Sequence, residues 1–316
     1  MKLQTQISVQ KQRHNQIDYE SKLLLLGSCF SENIYAKLSY FKLNAFANPL
    51  GIQFHVYGIE RLISRAINKT YFTKDELCNS DGIFYSFDAH SKWNADSADQ
   101  LCNTLNTQLD ITNTWLRTAT HLVITLGTAW VYRHLDKDSI VSNCHKVPQK
   151  QFLKELLSVN ELSESLDGIL ELVRNINPNV TFIYTVSPVR HLKDGFVENN
   201  RSKAHLLASI HKVVNPRNRS YYFPSYEIQM DELRDYRFYE TDMLHPNQLA
   251  IDIIWKRFTE AWLTNEAIEV KEKVDVIQKG FKHRPFQPSS KSYSEFKDSL
   301  SLKVKDLQDE FPQIRF

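Results

Sequence analysis

Two short runs in this sequence hold residues that could act on one another. In Gly27-Ser28-Cys29 a hydroxyl and a thiol follow a glycine; in Asp242-Met243-Leu244-His245-Pro246 a carboxylate precedes a histidine by three residues. A serine nucleophile needs a base to take its proton and a third group to orient that base. A loop carboxylate three residues before a histidine can fold back onto the ring's Nδ1 and leave Nε2 free. With 11 histidines in the chain, one histidine means little alone. His245 stands out because Asp242 precedes it and Pro246 opens a helix after it. Each run also has a plain reading: Ser28 as a turn residue or helix N-cap, and Asp242 and His245 as ordinary loop residues.

The elements that must bring these runs together can be read from periodicity. Leu23 to Leu26, closed by Gly27, form an apolar run that fits a strand buried on both faces. From Glu32 to Phe41, the residues Ile34, Leu38 and Phe41 fall on one helical face. The turn between them lies at the carboxyl end of a strand and beside a helix N-terminus, where N–H groups and the helix dipole favour negative charge. His121–Leu126 and Val180–Val186 read as two further buried strands, ending at Gly127-Thr128-Ala129-Trp130 and at Ser187-Pro188-Val189-Arg190-His191. Tyr221–Phe223 reads as a fourth, short strand. Helical spacing is expected over 55–68, 98–117, 160–175, 202–214 and 246–263, with Asn160 a helix start and Pro246 at a first helical position. Residues 1–20 read as a peripheral strand or arm, and the aromatic stretch 70–95 as a lid-like or edge excursion. Strands alternating with helices imply a parallel sheet, whose ligands gather at the strands' carboxyl ends. That edge would carry Ser28, Thr128, Arg190 and His191.

Composition narrows the classes of function. A 316-residue chain that is 42% hydrophobic can bury one large core, and a net charge of +2 gives no reason to expect a nucleic-acid or membrane partner. No apolar run approaches the ~20 residues of a membrane span. The first residues lack the apolar core of a signal peptide, so a cytoplasmic location is expected. Cys29, Cys78, Cys102 and Cys144 form no C-x-x-C pair, so neither a metal site nor a disulfide framework is expected. After Thr264, lysines and glutamates crowd a short span and Pro285, Pro288, Ser289 and Ser290 follow. Residues 265–316 therefore read as a charged C-terminal tail, partly helical at 293–307 and dispensable for the fold of a 1–264 catalytic domain.

With these residues in view, the chain resembles two nested groups. Gly-Ser after the first strand and Asp-x-x-His before the last helix resemble the first and last blocks of the SGNH (GDSL-like) hydrolases. Gly27-Ser28-Cys29-Phe30, followed by Ser31 where the family name has alanine, resembles the GSCFA family. Leu126–Tyr132, Asn143-Cys144-His145-Lys146, Ser187–His191 and Asp231–Arg237 strengthen that match, which runs from about Leu23 to about Leu263. The resemblance implies an α/β fold, a three-layer α/β/α SGNH-hydrolase-like (flavodoxin-like) parallel sheet, and acyl-esterase activity without a cofactor. It maps the nucleophile to Ser28, the base to His245 and the orienting carboxylate to Asp242. The oxyanion hole falls on the amides of Ser28 and Gly51. The third block, normally Gly-x-Asn-Asp, falls on Gly127-Thr128-Ala129-Trp130, so Ala129 stands where an Asn donor is usual; the Thr128 hydroxyl, or a backbone amide of that loop, is the expected replacement.

Other residues compete for roles. Cys29 is a rival nucleophile, since a thiolate at a helix N-terminus is favoured; neighbouring side chains on a turn point differently, and Ser28 is preferred. Arg190 and His191 are candidates to bind a substrate carboxylate or phosphate, against a salt bridge to Glu227, Asp231 or Asp235. Trp130 and Tyr132 could wall a sugar, or pack in the core. Cys144 and His145, adjacent in sequence, are not expected to face each other. The expected function is a serine esterase for small acyl esters, O-acetylated carbohydrate among them, by hydrolysis or acyl transfer. A binding module that has lost its chemistry and a Cys29-dependent hydrolase are the alternatives. The expected partner is a small-molecule or carbohydrate ester; homo-oligomer formation stays open.

Overall fold

The computed structural model describes residues 5–316. In chain order its elements are β1 (Lys22–Gly27), α1 (Cys29–Tyr40), β2 (Asn44–Ala47), α2 (Val56–Asn68), β3 (Cys78–Ser80), β4 (Ile83–Tyr85), β5 (Asn94–Ala95), α3 (Ala98–Thr118) and β6 (His121–Leu126). There follow β7 (Trp130–His134), β8 (Ser139–Val141), β9 (Phe152–Leu156), α4 (Val159–Ile176), β10 (Thr181–Val186), α5 (Phe196–Val213), β11 (Ser220–Tyr222) and α6 (Ser225–Glu227). The chain ends with α7 (Gln248–Trp262), α8 (Asn265–Lys282) and α9 (Lys291–Glu310).

Five strands form one parallel sheet in the order β11-β10-β6-β1-β2. Successive strand residues point to opposite faces, and here both faces are apolar. Leu24, Leu26, Leu122, Ile124, Phe182 and Tyr184 join the core under the layer of α2 to α5. Leu23, Leu25, Val123 and Ile183 join the opposite core, made with α1, α7 and α8. The molecule is thus a three-layer α/β/α sandwich, as the family resemblance implied, around the parallel sheet that the alternating pattern implied. The chain doubles back between β1 and β6, and a sheet wound this way opens a crevice outside the strand ends at that point.

Two antiparallel sheets, β3-β4-β5 and β8-β7-β9, sit beside the main one. The aromatic stretch 70–95 is therefore a small sheet with turns, not a loose excursion: Tyr85 and Phe87 cluster with Val141 and Phe152. Strands of two or three residues are too short to show a period of two. Residues 1–4 of the expected N-terminal arm lie outside the described residues. The rest of the arm is mostly irregular and docks on the end of α7, where Ile17 N–H donates to Trp262 O at 2.8 Å. Among the described residues no helix is long and apolar enough to cross a membrane.

The segment 265–316 folds as the pair α8 and α9. Ala267, Val270, Val274 and Ile277 recur at helical spacing and are buried in the same core as Trp255 and Trp262. Ile314 is also fully buried. This packing argues against dispensability. Full burial of a Val or Ile side chain contributes ~1.5–3 kcal/mol, against a total stability of roughly 5–15 kcal/mol. Truncation after Thr264 is accordingly expected to abolish a cooperative thermal transition, and Ile277→Ala to lower stability by about 2–5 kcal/mol. A truncated chain that melts as sharply and at the same temperature as the full one would show that α8 only decorates the core.

Candidate active site

At the end of β1 the chain must turn sharply, and Gly27 permits it. Its φ is +136°, and a Cβ there would meet the Thr125 carbonyl oxygen at 2.1 Å. Ser28 follows with extended φ and ψ, its N–H donating to Thr125 O at 3.0 Å. Its Oγ accepts from Phe30 N–H at 3.3 Å, so Ser28 is the N-cap of α1. It is fully buried at 0% exposure. Cys29, the first residue of α1, faces a cavity of about 570 Å³ that Ser28 does not line. Backbone N–H groups of Phe30 and of Cys29 itself reach the sulfur; burial is the largest influence and, with Glu32, pushes the thiol's pKa up, while Lys203 opposes it.

The same cavity is lined by His245, in the loop before α7. Asp242 Oδ2 accepts from His245 Nδ1 at 2.6 Å, and Asp242 Oδ1 accepts from the N–H groups of Leu244 and His245 at 2.8 and 3.0 Å. These bonds, led by the His245 N–H, hold the Asp242 pKa down at about 2. The carboxylate therefore stays ionised through neutral pH and fixes the ring with Nε2 free. No hydrogen bond joins Nε2 to Ser28 or Cys29 among the described residues. The expected line from Asp242 through His245 to the Ser28 hydroxyl thus stops at His245, because that hydroxyl is turned inward as a helix cap.

The other expected residues divide. Thr128 lines the cavity, with its Oγ1 accepting from Trp130 N–H at 3.0 Å and 3.1 Å from Ser202 Oγ. Ala129 is fully buried, its N–H donating to Ser202 Oγ at 2.8 Å. Gly51 does not line the cavity. Its N–H is already committed to Asn48 O at 2.7 Å, and its φ of +81° explains the glycine. The Ser28 N–H is likewise bound to Thr125 O. Neither expected backbone donor is therefore free for an oxyanion. Trp130, Arg190 and His191 do line the cavity. Arg190 donates to Tyr239 Oη at 3.4 Å and pairs with no carboxylate among the described residues. Asp235 is taken by Arg237 at 3.0 Å and Glu227 by the Tyr222 hydroxyl. His191 packs edge-on against Phe54; burial, then Lys203 and His245, lower its pKa to about 3, so it is neutral. Cys144 lines the cavity while His145 turns away to the Ser86 and Ala89 carbonyls, so the two do not act as a pair.

Two residues emerge that the motifs did not single out as candidates. Asn143 lines the cavity with its Oδ1 held by His145 N–H at 2.9 Å, which leaves Nδ2 as an oriented, uncommitted donor. Lys203, on α5, is 1% exposed and donates to the carbonyls of Gly127 and Ser187 at 2.7 and 2.8 Å. Its signal was present: Lys203 keeps helical register with the buried Leu206, Ile210 and Val213, a place where a charge is out of pattern.

The parallel α/β/α sheet thus carries an acid–histidine pair and a thiol at the first position of a helix around one cavity. Residues 22–258 match the GSCFA family and residues 274–316 match the GSCFA domain protein, C-terminal domain; the chain belongs to the GSCFA family. A search of curated proteins finds no match. Among solved structures, a carbohydrate esterase family 3 protein from Talaromyces cellulolyticus is 8% identical, with a TM-score of 0.38, covering 80% of this chain and 98% of that one. A mutant acetyl esterase with acetate ion is 10% identical, with a TM-score of 0.36, covering 80% of this chain and 99% of that one. At such scores neither likeness says what this chain acts on.

Proposed function

We propose that the protein is an acyl-ester hydrolase in which Cys29, not Ser28, is the nucleophile, His245 the general acid and base, and Asp242 the group that orients it. The observation that carries this reading is that Cys29 shares the cavity with His245, whereas Ser28 is fully buried and caps α1. In the reaction, the Cys29 thiol proton passes to His245 and the sulfur attacks the acyl carbon. The carbon–oxygen ester bond breaks as His245 returns the proton to the leaving alcohol. Water, deprotonated by His245, then cleaves the thioester and restores the thiol. The alternative of acyl transfer replaces water with a sugar hydroxyl. A small acyl group suits a cavity of this size, and Trp130, Tyr132 and Phe54 give it an aromatic wall on which a carbohydrate could lie.

The test is selective inactivation during hydrolysis of a short-chain chromogenic ester. Alkylation of Cys29 should abolish turnover, and a serine-reactive phosphonate should leave it intact. The reverse pattern would restore Ser28 as the nucleophile. Absence of any turnover on short esters would favour a binding role.

The charge on the tetrahedral intermediate needs donors already in place. Thr128 meets this poorly, since its hydroxyl sits between Trp130 N–H and Ser202 Oγ. Asn143 Nδ2 is the freer donor. Asn143→Ala is expected to lower kcat by about 10²-fold, with little change in KM, and Thr128→Val by much less. Steady-state kinetics of the two variants checks this; equal losses, or a larger loss at Thr128, would reverse the assignment.

A further inference from the structure

A second cavity, of about 640 Å³, adjoins the first, and Arg190, Leu192 and Leu244 line both. The loop of the acid–histidine pair is a wall between them: Asp242 and Met243 line the second cavity, His245 the first and Leu244 both. Tyr239, which lines the second cavity, fixes the Arg190 guanidinium there, its Oη accepting from Nη1 at 3.4 Å. Arg234 lines the same cavity, and its side chain makes no hydrogen bond or ion pair among the described residues. Two carboxylates also line it, and both are committed. Asp235 accepts from the Arg237 N–H at 2.9 Å and from its guanidinium at 3.0 Å, while Asp242 is held by His245 and the Leu244 N–H. Asp231 and Glu240, on the same stretch of chain, do not line the cavity. Two arginines thus line it with no carboxylate partner among the described residues. A guanidinium is a planar fork that fits a carboxylate or a phosphate. Phe196 and Tyr236, 67% and 77% exposed, add aromatic faces on which a sugar ring can lie.

We propose that the second cavity is the subsite for the alcohol side of the substrate, and that this alcohol carries an anionic group, a carboxylate or a phosphate, held by Arg190 together with Arg234. The proposal rests on the reading of His245 as general acid. The group that returns a proton to the leaving alcohol must stand on the alcohol's side of the ester, and the loop of His245 is the wall shared by the two cavities. The acyl carbon stays with Cys29 in the first cavity, and the alcohol extends past Leu244 and Arg190 into the second. The substrate class is then an acylated sugar acid or sugar phosphate, not a neutral acylated sugar. A neutral alcohol would leave the Arg190 fork with its single long bond to Tyr239, whereas an anion would add charge-assisted bonds, which are the stronger kind. Arg190 and Arg234 make or break no covalent bond; they bind the substrate and set its specificity.

The experiment compares three matched esters: a mono-acetylated methyl glucoside, the same acetyl ester of the glucuronide, which carries a carboxylate, and that of the glucoside phosphate. In the wild type, kcat/KM for an anionic ester should exceed that for the neutral one by about tenfold or more. The larger of the two anionic ratios tells whether the site takes a carboxylate or a phosphate. In Arg190→Met the ratio should fall to near one, and in Arg234→Met, at a more exposed side chain, by about threefold. Each ratio is taken within one protein, so a general loss of activity cancels. A wild-type ratio near one, or a ratio that survives in Arg190→Met, overturns the proposal. If Arg190→Met does not fold, an unchanged ratio in Arg234→Met overturns it instead. Titration calorimetry with the deacetylated glucuronide and glucoside phosphate, against the neutral glucoside, reads the subsite without turnover. Arg190-dependent binding by a chain that hydrolyses none of the esters would keep the subsite and sink the esterase reading. Hydrolysis with no preference for the anionic esters would do the reverse.

Discussion

Cys29→Ala is expected to lose at least about 10³-fold in kcat, the scale on which removing a covalent nucleophile acts, while Ser28→Ala keeps turnover within about threefold. The two residues adjoin in sequence, yet their surroundings differ completely. Cys29 opens α1 with its sulfur toward the cavity that holds His245. Ser28 is turned inward, its hydroxyl accepting from Phe30 N–H at 3.3 Å. Loss of that cap should instead appear as instability, by about 1 kcal/mol. The pair of variants thus separates in opposite directions, one in rate and one in melting temperature. Kinetics and thermal melts on both check this; a Ser28→Ala variant that is stable and inactive would invert the account.

The second large effect is expected at the acid–histidine pair. His245→Ala should lower kcat by about 10²–10⁴-fold, the range for a positioned general base. Asp242→Asn should also lower it, because the amide can no longer hold the Nδ1–H tautomer. The Asp242 pKa is depressed to about 2, chiefly by the His245 N–H. Its folded value lies below the ordinary one, so the benefit of its ionised form is complete above the ordinary carboxylate range and is lost only as pH falls toward 2. Between pH 5 and 9 the pH–rate profile should therefore carry no limb from Asp242. Any limb there that persists in Asp242→Asn belongs to other groups. A profile whose acid limb near neutrality vanishes in Asp242→Asn would contradict the depressed pKa.

Much of the scaffold was legible in the chain because parallel strands buried on both faces leave unbroken apolar runs. Leu23–Leu26, His121–Leu126 and Val180–Val186 lie in the three central strands within a residue or two. Edge strand β2 escaped because Asn44–Ala47 is short and only partly buried. Helix α8 was obscured by its charge: the lysines and glutamates of its solvent face outnumber Ala267, Val270, Val274 and Ile277, whose spacing was the informative signal. The Asp242–His245 pair was readable because its bond is local to one loop. The sequence favoured Ser28, but which of Ser28 and Cys29 faces the cavity was not readable. It depends on which residue takes the extended N-cap position after Gly27, and that is set by the Thr125 carbonyl on a neighbouring strand, about a hundred residues away in the chain. Asn143 joined the site in the same way, through tertiary contacts no local spacing reports, whereas buried Lys203 had a local signal in its helical register with Leu206, Ile210 and Val213.

The central claim is that the acyl group passes through sulfur. The most direct measurement is to quench the enzyme with a slow ester, digest it at acid pH and map the acyl mass along the peptide that contains both residues. The account predicts acyl on Cys29, released by neutral hydroxylamine as a thioester is. Acyl on the Ser28 oxygen, resistant to that treatment, would contradict it.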